Sequence, residues 1–275
     1  MSLVIQTNVA SLEAQRNLFK SQTALQSTFN KLSSGFRINT AKDDAAGLAI
    51  SESLKLQIKT LTVNERNAGD AISMAQTAEG ALGELSNIVL RMRELATQGA
   101  NGALQSTDRD FIQTEFTSLQ SEMRRIMTST KFNGKSLINS ASSEHLFQIG
   151  ITNSDSDRIA VSFGGLALNS LTGTARVNSG PGNARTALDT IDSALFKVSQ
   201  ARARFGAMMN RFETTISNIQ SVRLNLAAAN SRIRDIDVAE EAATQSKNQV
   251  LAQAGTSVLS QANQAPQQAL SLLKG

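Results

Sequence analysis

The 275-residue chain has no cysteine, no tryptophan and no tyrosine, with only 2 prolines and 1 histidine. Without cysteine there is no disulfide, no thiolate metal site and no thiol nucleophile. A lone histidine, His145, leaves the usual zinc sites and a Ser/His/Asp triad without their parts. Neither Gly-x-Gly-x-x-Gly nor Gly-x-x-x-x-Gly-Lys-Ser/Thr occurs, so a nucleotide cofactor has no cradle. The carboxylate pairs Asp43-Asp44 and Glu240-Glu241 are sequence neighbours, which a helix points about 100° apart. Helix capping and surface charge suit them better than shared acid–base chemistry. No enzyme, cofactor or metal is expected.

Other shortages bear on location and partners. No apolar run approaches the ~20 residues of a membrane span. Residues 1–8 lack a basic region, a long apolar stretch and a cleavage site, so the sequence by itself predicts a cytoplasmic protein. Lys+Arg number 27 against Asp+Glu 23, a formal charge of +4. The signs are interleaved, as in Arg91, Arg93, Glu94 and Arg232, Arg234, Asp235, Asp237. That pattern describes a solvated helix surface and offers no basic face to nucleic acid.

What is present is aliphatic periodicity. Hydrophobic residues make up 40% of the chain and aromatics 4%, so small and aliphatic side chains must do the packing. Leu18, Leu25 and Leu32 recur every seven residues, with Phe29 between them, up to a break at Ser33-Ser34-Gly35. Asp43 or Asp44 can cap the helix that follows. That helix carries Leu61, Ala68, Ala75, Leu82, Val89 and Ala96, with Ile58, Ile72, Leu85 and Met92 in the adjacent seam, and ends at Gly99 and Gly102. A third helix is predicted after Asp108, and Phe132-Asn133-Gly134 reads as a turn.

The period changes only in the middle. Residues 146–149 and 158–163 read as two strands of a β-hairpin, and the stretch to Gly182 as surface loop. Ile191, Val198, Phe205, Phe212, Ile219, Leu226 and Ile233 then hold one heptad position, with Leu188, Leu195, Met209 and Ile216 at its partner. Such a repeat implies a long helix in left-handed coiled-coil packing. A weaker pattern follows through Val250, Leu251, Val258, Leu259, Leu270 and Leu273. The fold expected is mainly α: a long antiparallel coiled-coil-like bundle of the N- and C-terminal halves, with a small central hairpin. The outermost ~40 residues at each end are poor in large apolar groups and need neighbours to stay ordered.

Several blocks resemble bacterial flagellins, in the family's order. They are residues 8–18 (Asn8 to Leu18), Leu32 to Asn39 with Asp43 to Ser51, Arg66-Asn67-Ala68, Gln76 to Leu82, Arg93-Glu94-Leu95 and Phe132-Asn133-Gly134. Gly206-Ala207, Asn210-Arg211-Phe212, Ser231 to Asp235 and Gln261 to Gln267 continue the likeness. Val63 and Glu65 depart from the smaller or polar residues usual ahead of Arg66.

The resemblance implies a filament subunit for swimming motility, exported unfolded and assembled outside the cell, which replaces the cytoplasmic expectation. It implies an inner helical layer from residues 1–43 and 236–275, a helical rod from 44–140 and 183–235, and a reduced variable region at 141–182. Implied partners are other copies or other flagellins, an export chaperone, and filament-cap and hook-junction proteins, with no nucleic acid and no membrane. A vertebrate toll-like receptor is a further implied partner, through Arg91, Leu95 and Glu115. Two other readings fit the helical pattern: a hook–filament junction protein, with the same terminal design, and a coiled-coil adaptor.

Overall fold

The computed structural model describes residues 7–139, 141–168 and 173–274, the last ten in backbone only. Its elements are α1 (Val9–Ser34), α2 (Ala45–Gly99), α3 (Ser106–Ser129), β1 (Lys131–Phe132), β2 (Lys135–Ser136), β3 (Ser143–Gln148), β4 (Arg158–Phe163), α4 (Pro181–Arg234) and α5 (Val238–Lys274). The mainly helical fold and the central hairpin are as the sequence predicts. The protein forms two compact units, one of Met1–Gln57 with Asn225–Gly275, the other of Ile58–Leu224.

The second unit holds the large core. Along α2, Leu61, Ala68, Ala75, Leu82, Val89 and Ala96 are all buried, and Ala71, Ala78, Leu85 and Met92 form the second seam. Ile58 is only half-buried, and Ile72 packs at the core's edge. On α4, Ile191, Val198, Phe205, Phe212 and Ile219 are buried as expected. Their partner position differs from the expectation. Ala187, Ala194 and Ala201 fill it, while Leu188, Leu195, Met209 and Ile216 flank the core. The larger side chains pack at the core's edge while alanines let the helices approach closely.

Ion pairs fix the antiparallel direction of α2 and α4 in this unit. Glu65 meets Arg223, Glu79 meets Arg202 at 2.8 Å and Arg93 meets Asp192 at 2.6 Å. The Arg93 guanidinium holds the Asp192 carboxyl below the usual carboxylate range. Exposed pairs contribute about 0–1 kcal/mol each, so burial supplies the stability and charge selects the register.

α3 begins at Ser106, three residues before the predicted start after Asp108. Asp108 lies in its first turn and accepts from the Gln105 N–H at 3.1 Å, closing a capping box with Gln105. The Phe132-Asn133-Gly134 turn is a tight hairpin, with Asn133 at φ 47 and Gly134 at φ 77. β3 and β4 pair antiparallel, with Leu146 opposite Ala160, and β3 starts at Ser143, ahead of the predicted Leu146. On β4, Ile159, Val161 and Phe163 face the core in strict alternation. Phe163 stacks on Phe205 at 5.4 Å, and Phe147 meets Phe212 edge-on at 5.7 Å. The Asn64 and Asn67 side chains donate to the Gly150 and Gln148 carbonyls, tying the hairpin's end to α2.

The stretch after the hairpin is not simply surface loop. Leu166, Leu168 and Val177 are buried in the core, and Val177 N–H donates to Gln113 Oε1 at 2.7 Å. Three apolar residues among glycines and serines carry no period, so nothing in the sequence pattern marks them.

Candidate functional site

The first unit contains both ends of the protein. α1 ends at Gly35, whose φ of 73 is left-handed and whose N–H donates to Lys31 O. Asp44 Oδ1 accepts from Gly47 N–H at 2.9 Å and so caps α2. Asp43 instead closes the preceding turn, accepting from the Asn39 and Thr40 N–H groups. The Thr40 N–H bond is the main reason its carboxyl lies below the ordinary range. A Cβ at Gly47 would stand 2.4 Å from Asp44 Oδ2 and 2.7 Å from Ile38 Cδ1, so a larger residue would push the capping carboxylate and Ile38 aside. At the second break, Asp237 Oδ1 accepts from Ala239 N–H at 2.9 Å and starts α5. Glu240 and Glu241 sit in its first turn, where the helix dipole favours negative charge.

These two breaks are joined to each other. Arg37 N–H donates to Arg234 O at 2.7 Å and Ile236 N–H to Gly35 O at 3.2 Å, with Phe36 and Asp235 forming an antiparallel bridge. The Arg234 guanidinium lies 4.5 Å from the Phe36 ring centroid and bonds Glu52 at 2.7 Å. Arg234 is also the main cause of the lowered Glu52 carboxyl. Ser51 donates to Asn230 Oδ1 at 2.8 Å in the same cluster.

α1 and α5 pack antiparallel. Asn8 Nδ2 donates to Ala262 O at 2.8 Å and Ser11 Oγ to Asn263 Oδ1 at 2.7 Å. A Cβ on Gly255 would lie 3.2 Å from Leu18 Cδ1, so the backbones come close there. Leu18, Leu25 and Leu32 are half-buried along α1, as are Leu226 and Ile233 near the end of α4. On α5 the half-buried residues are Glu241, Gln245, Asn248, Ala252, Gly255, Leu259 and Ala262, at alternating steps of four and three. This corrects the apolar pattern expected there: Val250, Leu251 and Val258 are exposed and point away from the seam. Leu270 and Leu273 lie outside the described side chains.

The pair nonetheless leaves several large apolar groups exposed. Leu12 is 57% exposed, Phe19 70%, Val250 64% and Val258 55%. Phe29, expected in the α1 stripe, is exposed as well. Among the described side chains of α1, only Ser11, Ala14 and Thr28 are buried, all small. Scattered single apolar residues are normal on a surface. Here they recur on two helices that bury few of their own described side chains.

In the second unit, Arg91 Nε donates to Glu115 Oε1 at 2.8 Å, and its Nη1 to Glu94 Oε2 at 2.8 Å. Glu94 and then Glu115 raise the Arg91 guanidinium above its ordinary value. α2 and α3 thus bring Arg91 and Glu115 together on the surface. Leu95 does not join them: it is buried in the core, which closes its side group to a partner. Sequence periodicity could have placed it there, since it follows Met92 by three residues. Glu65, one of the departures noted above, bonds both Gln220 and Arg223. Burial lowers the His145 imidazole below its ordinary value. Among the described residues no cluster of three or more His, Cys, Asp or Glu could hold a metal, and no helix is long and apolar enough to cross a membrane.

Known proteins match this sequence from end to end. The bacterial flagellin N-terminal helical region matches residues 5–143 and the bacterial flagellin C-terminal helical region residues 188–273. A flagellin of Halalkalibacterium halodurans is 40% identical over 282 aligned residues, covering 99% of this chain and 100% of its own. The flagellar filament 33 kDa core protein of Treponema phagedenis is 38% identical, with the same coverage. In fold alone, a Vibrio parahaemolyticus protein described as flagellar hook-associated superposes with a TM-score of 0.61 at 14% identity, over 70% of this chain and 100% of that one. On these matches, the chain belongs to the bacterial flagellin family.

Proposed function

We propose that this chain is the structural subunit of an extracellular flagellar filament, serving motility without catalysis. The observation that carries the reading is the exposure of Leu12, Phe19, Val250 and Val258 on a helix pair whose buried residues, among the described side chains, are all small. Covering apolar area releases about 25 cal/mol per Å², and packing against further copies of the same pair supplies that cover. In this reading residues 1–43 and 236–275 form the inner layer of the filament, and residues 44–140 and 183–235 the rod around it. Residues 141–182 are all that stands in place of a larger outer region, so the filament surface is thin. Heptad residues from Leu61 to Ile219 serve the rod's interior, and Leu18, Leu25, Leu32, Leu226 and Ile233 the pairing of the ends.

The subunit travels unfolded to the growing tip. An export chaperone covers its apolar ends on the way, and cap and hook-junction proteins meet the filament's two termini. Other flagellins can enter the same lattice through the same faces. Arg91 and Glu115, exposed and adjacent, are the residues open to a vertebrate toll-like receptor. Electron microscopy of sheared flagella tests the reading: a strain lacking only this gene should lose filaments or show altered ones, and the protein should be found along their length. Recovery only from the cytosol, or in one short ring per filament, contradicts it.

A further inference from the structure

We propose that Asn101 is a site of spontaneous covalent modification. Its side-chain amide is lost to the following peptide nitrogen, leaving aspartate and isoaspartate at position 101. The sequence has two Asn-Gly steps, Asn101-Gly102 and Asn133-Gly134. Glycine opens both to this chemistry, because no Cβ hinders approach of its nitrogen to the asparagine side chain.

Their surroundings differ. Asn101 is exposed in the turn between α2 and α3, and its Oδ1 accepts from the Ala103 N–H at 3.1 Å. That Asx turn holds the side chain folded back along the Gly102 peptide instead of leaving it free to rotate away. The Gly102 N–H has no hydrogen-bond partner among the described residues, so nothing must be broken first. The Ala103 N–H also lies where charge develops. Attack at Cγ turns Oδ1 into an oxyanion, and a donor already in place stabilises it. The Asn101 backbone carbonyl is held by Arg109 Nη2 at 3.0 Å. Asn133, by contrast, is clamped at φ 47 between two paired strands. Among the described residues no hydrogen bond reaches its side chain.

In the step itself, the deprotonated Gly102 nitrogen bonds to Asn101 Cγ, and the Cγ–Nδ2 bond breaks. The amide leaves as ammonia, taking a proton from solvent. Water then opens the five-membered imide. Breaking its Cγ–N bond gives aspartate; breaking the backbone peptide bond gives isoaspartate, with the polypeptide running through Cβ and Cγ. One water is consumed, one ammonia is released, and no oxidant takes part. Either product puts a carboxylate at the C-terminal end of α2, where the dipole disfavours it. Isoaspartate also displaces the carbonyl that Arg109 holds.

Peptide mapping by mass spectrometry, with isoaspartate resolved from aspartate, tests this on the full-length protein aged in neutral buffer. The single-dalton gain should accumulate at Asn101 well before Asn133. A Cβ at Gly102 meets nothing within 4 Å, so Gly102→Ala keeps the fold, and it should slow the gain markedly by hindering the nitrogen's approach. In denaturant the two steps should react at similar rates, because the turn is gone. Equal or slower reaction at Asn101 in the folded protein overturns the proposal, as does a preference for Asn101 that survives unfolding.

Discussion

Arg109 shows how much of this molecule depends on single residues at helix ends. It is buried, and its guanidinium donates to Gly99 O at 3.3 Å and Asn101 O at 3.0 Å, closing the C-terminus of α2. Cations are favoured at that end of a helix. Arg109→Ala should cost about 2 kcal/mol, read as a lower midpoint in urea denaturation with unchanged slope. Its role was not legible in the sequence, because its partners are backbone carbonyls and any residue can supply those. The caps were easier to see: an aspartate ahead of an apolar periodic run points to one, although the sequence left Asp43 and Asp44 as alternatives and only Asp44 caps α2. Asp157 illustrates a charge-dependent joint. It accepts from Thr152 Oγ1 and Thr152 N–H, which hold its carboxyl below the usual range. A depressed carboxylate stabilises the fold above its unfolded value, about 4, and that contribution is lost as pH falls through the folded value. Acidification should therefore free the Thr152 amide to exchange before the helices melt. An amide still protected at a pH well below the carboxylate range would speak against this joint.

For the helices, legibility followed residue size. Large aliphatics at heptad spacing located α2 and α4 and named most of their buried faces. What periodicity of large residues could not show was which seam the small ones fill. Ala187, Ala194 and Ala201 on α4 and Gln245, Asn248 and Gly255 on α5 hold the regular step, but look like surface when hydrophobicity alone is read. Counting alternating steps of four and three over every residue type would have found both. The distinction has a direct consequence for two phenylalanines on one helix. Phe212 is fully buried against Phe147, whereas Phe196 is 68% exposed. Phe212→Ala should destabilise the second unit by about 3–5 kcal/mol, and Phe196→Ala by no more than about 0.5 kcal/mol. Denaturation of the two variants side by side checks this, and similar losses in both would refute the assigned core.

Taken as a whole, the molecule divides its work between its two units. Residues 58–224 bury a continuous core of their own, while the two ends pair through small groups and half-buried leucines and leave Leu12, Phe19, Val250 and Val258 in solvent. The sequence conveyed that the ends are poor in packing material. It could not convey which of their faces stays open, because that depends on how α1 meets α5. If these ends exist to be covered by other copies, polymerisation must fail without them. The protein lacking residues 236–275 should be seeded with filament fragments and followed by electron microscopy, with circular dichroism on the same sample. It should keep the helicity of residues 58–224 and form no filaments under conditions where the full-length protein does. Filaments of normal diameter from the truncated protein would show that the ends do not drive assembly.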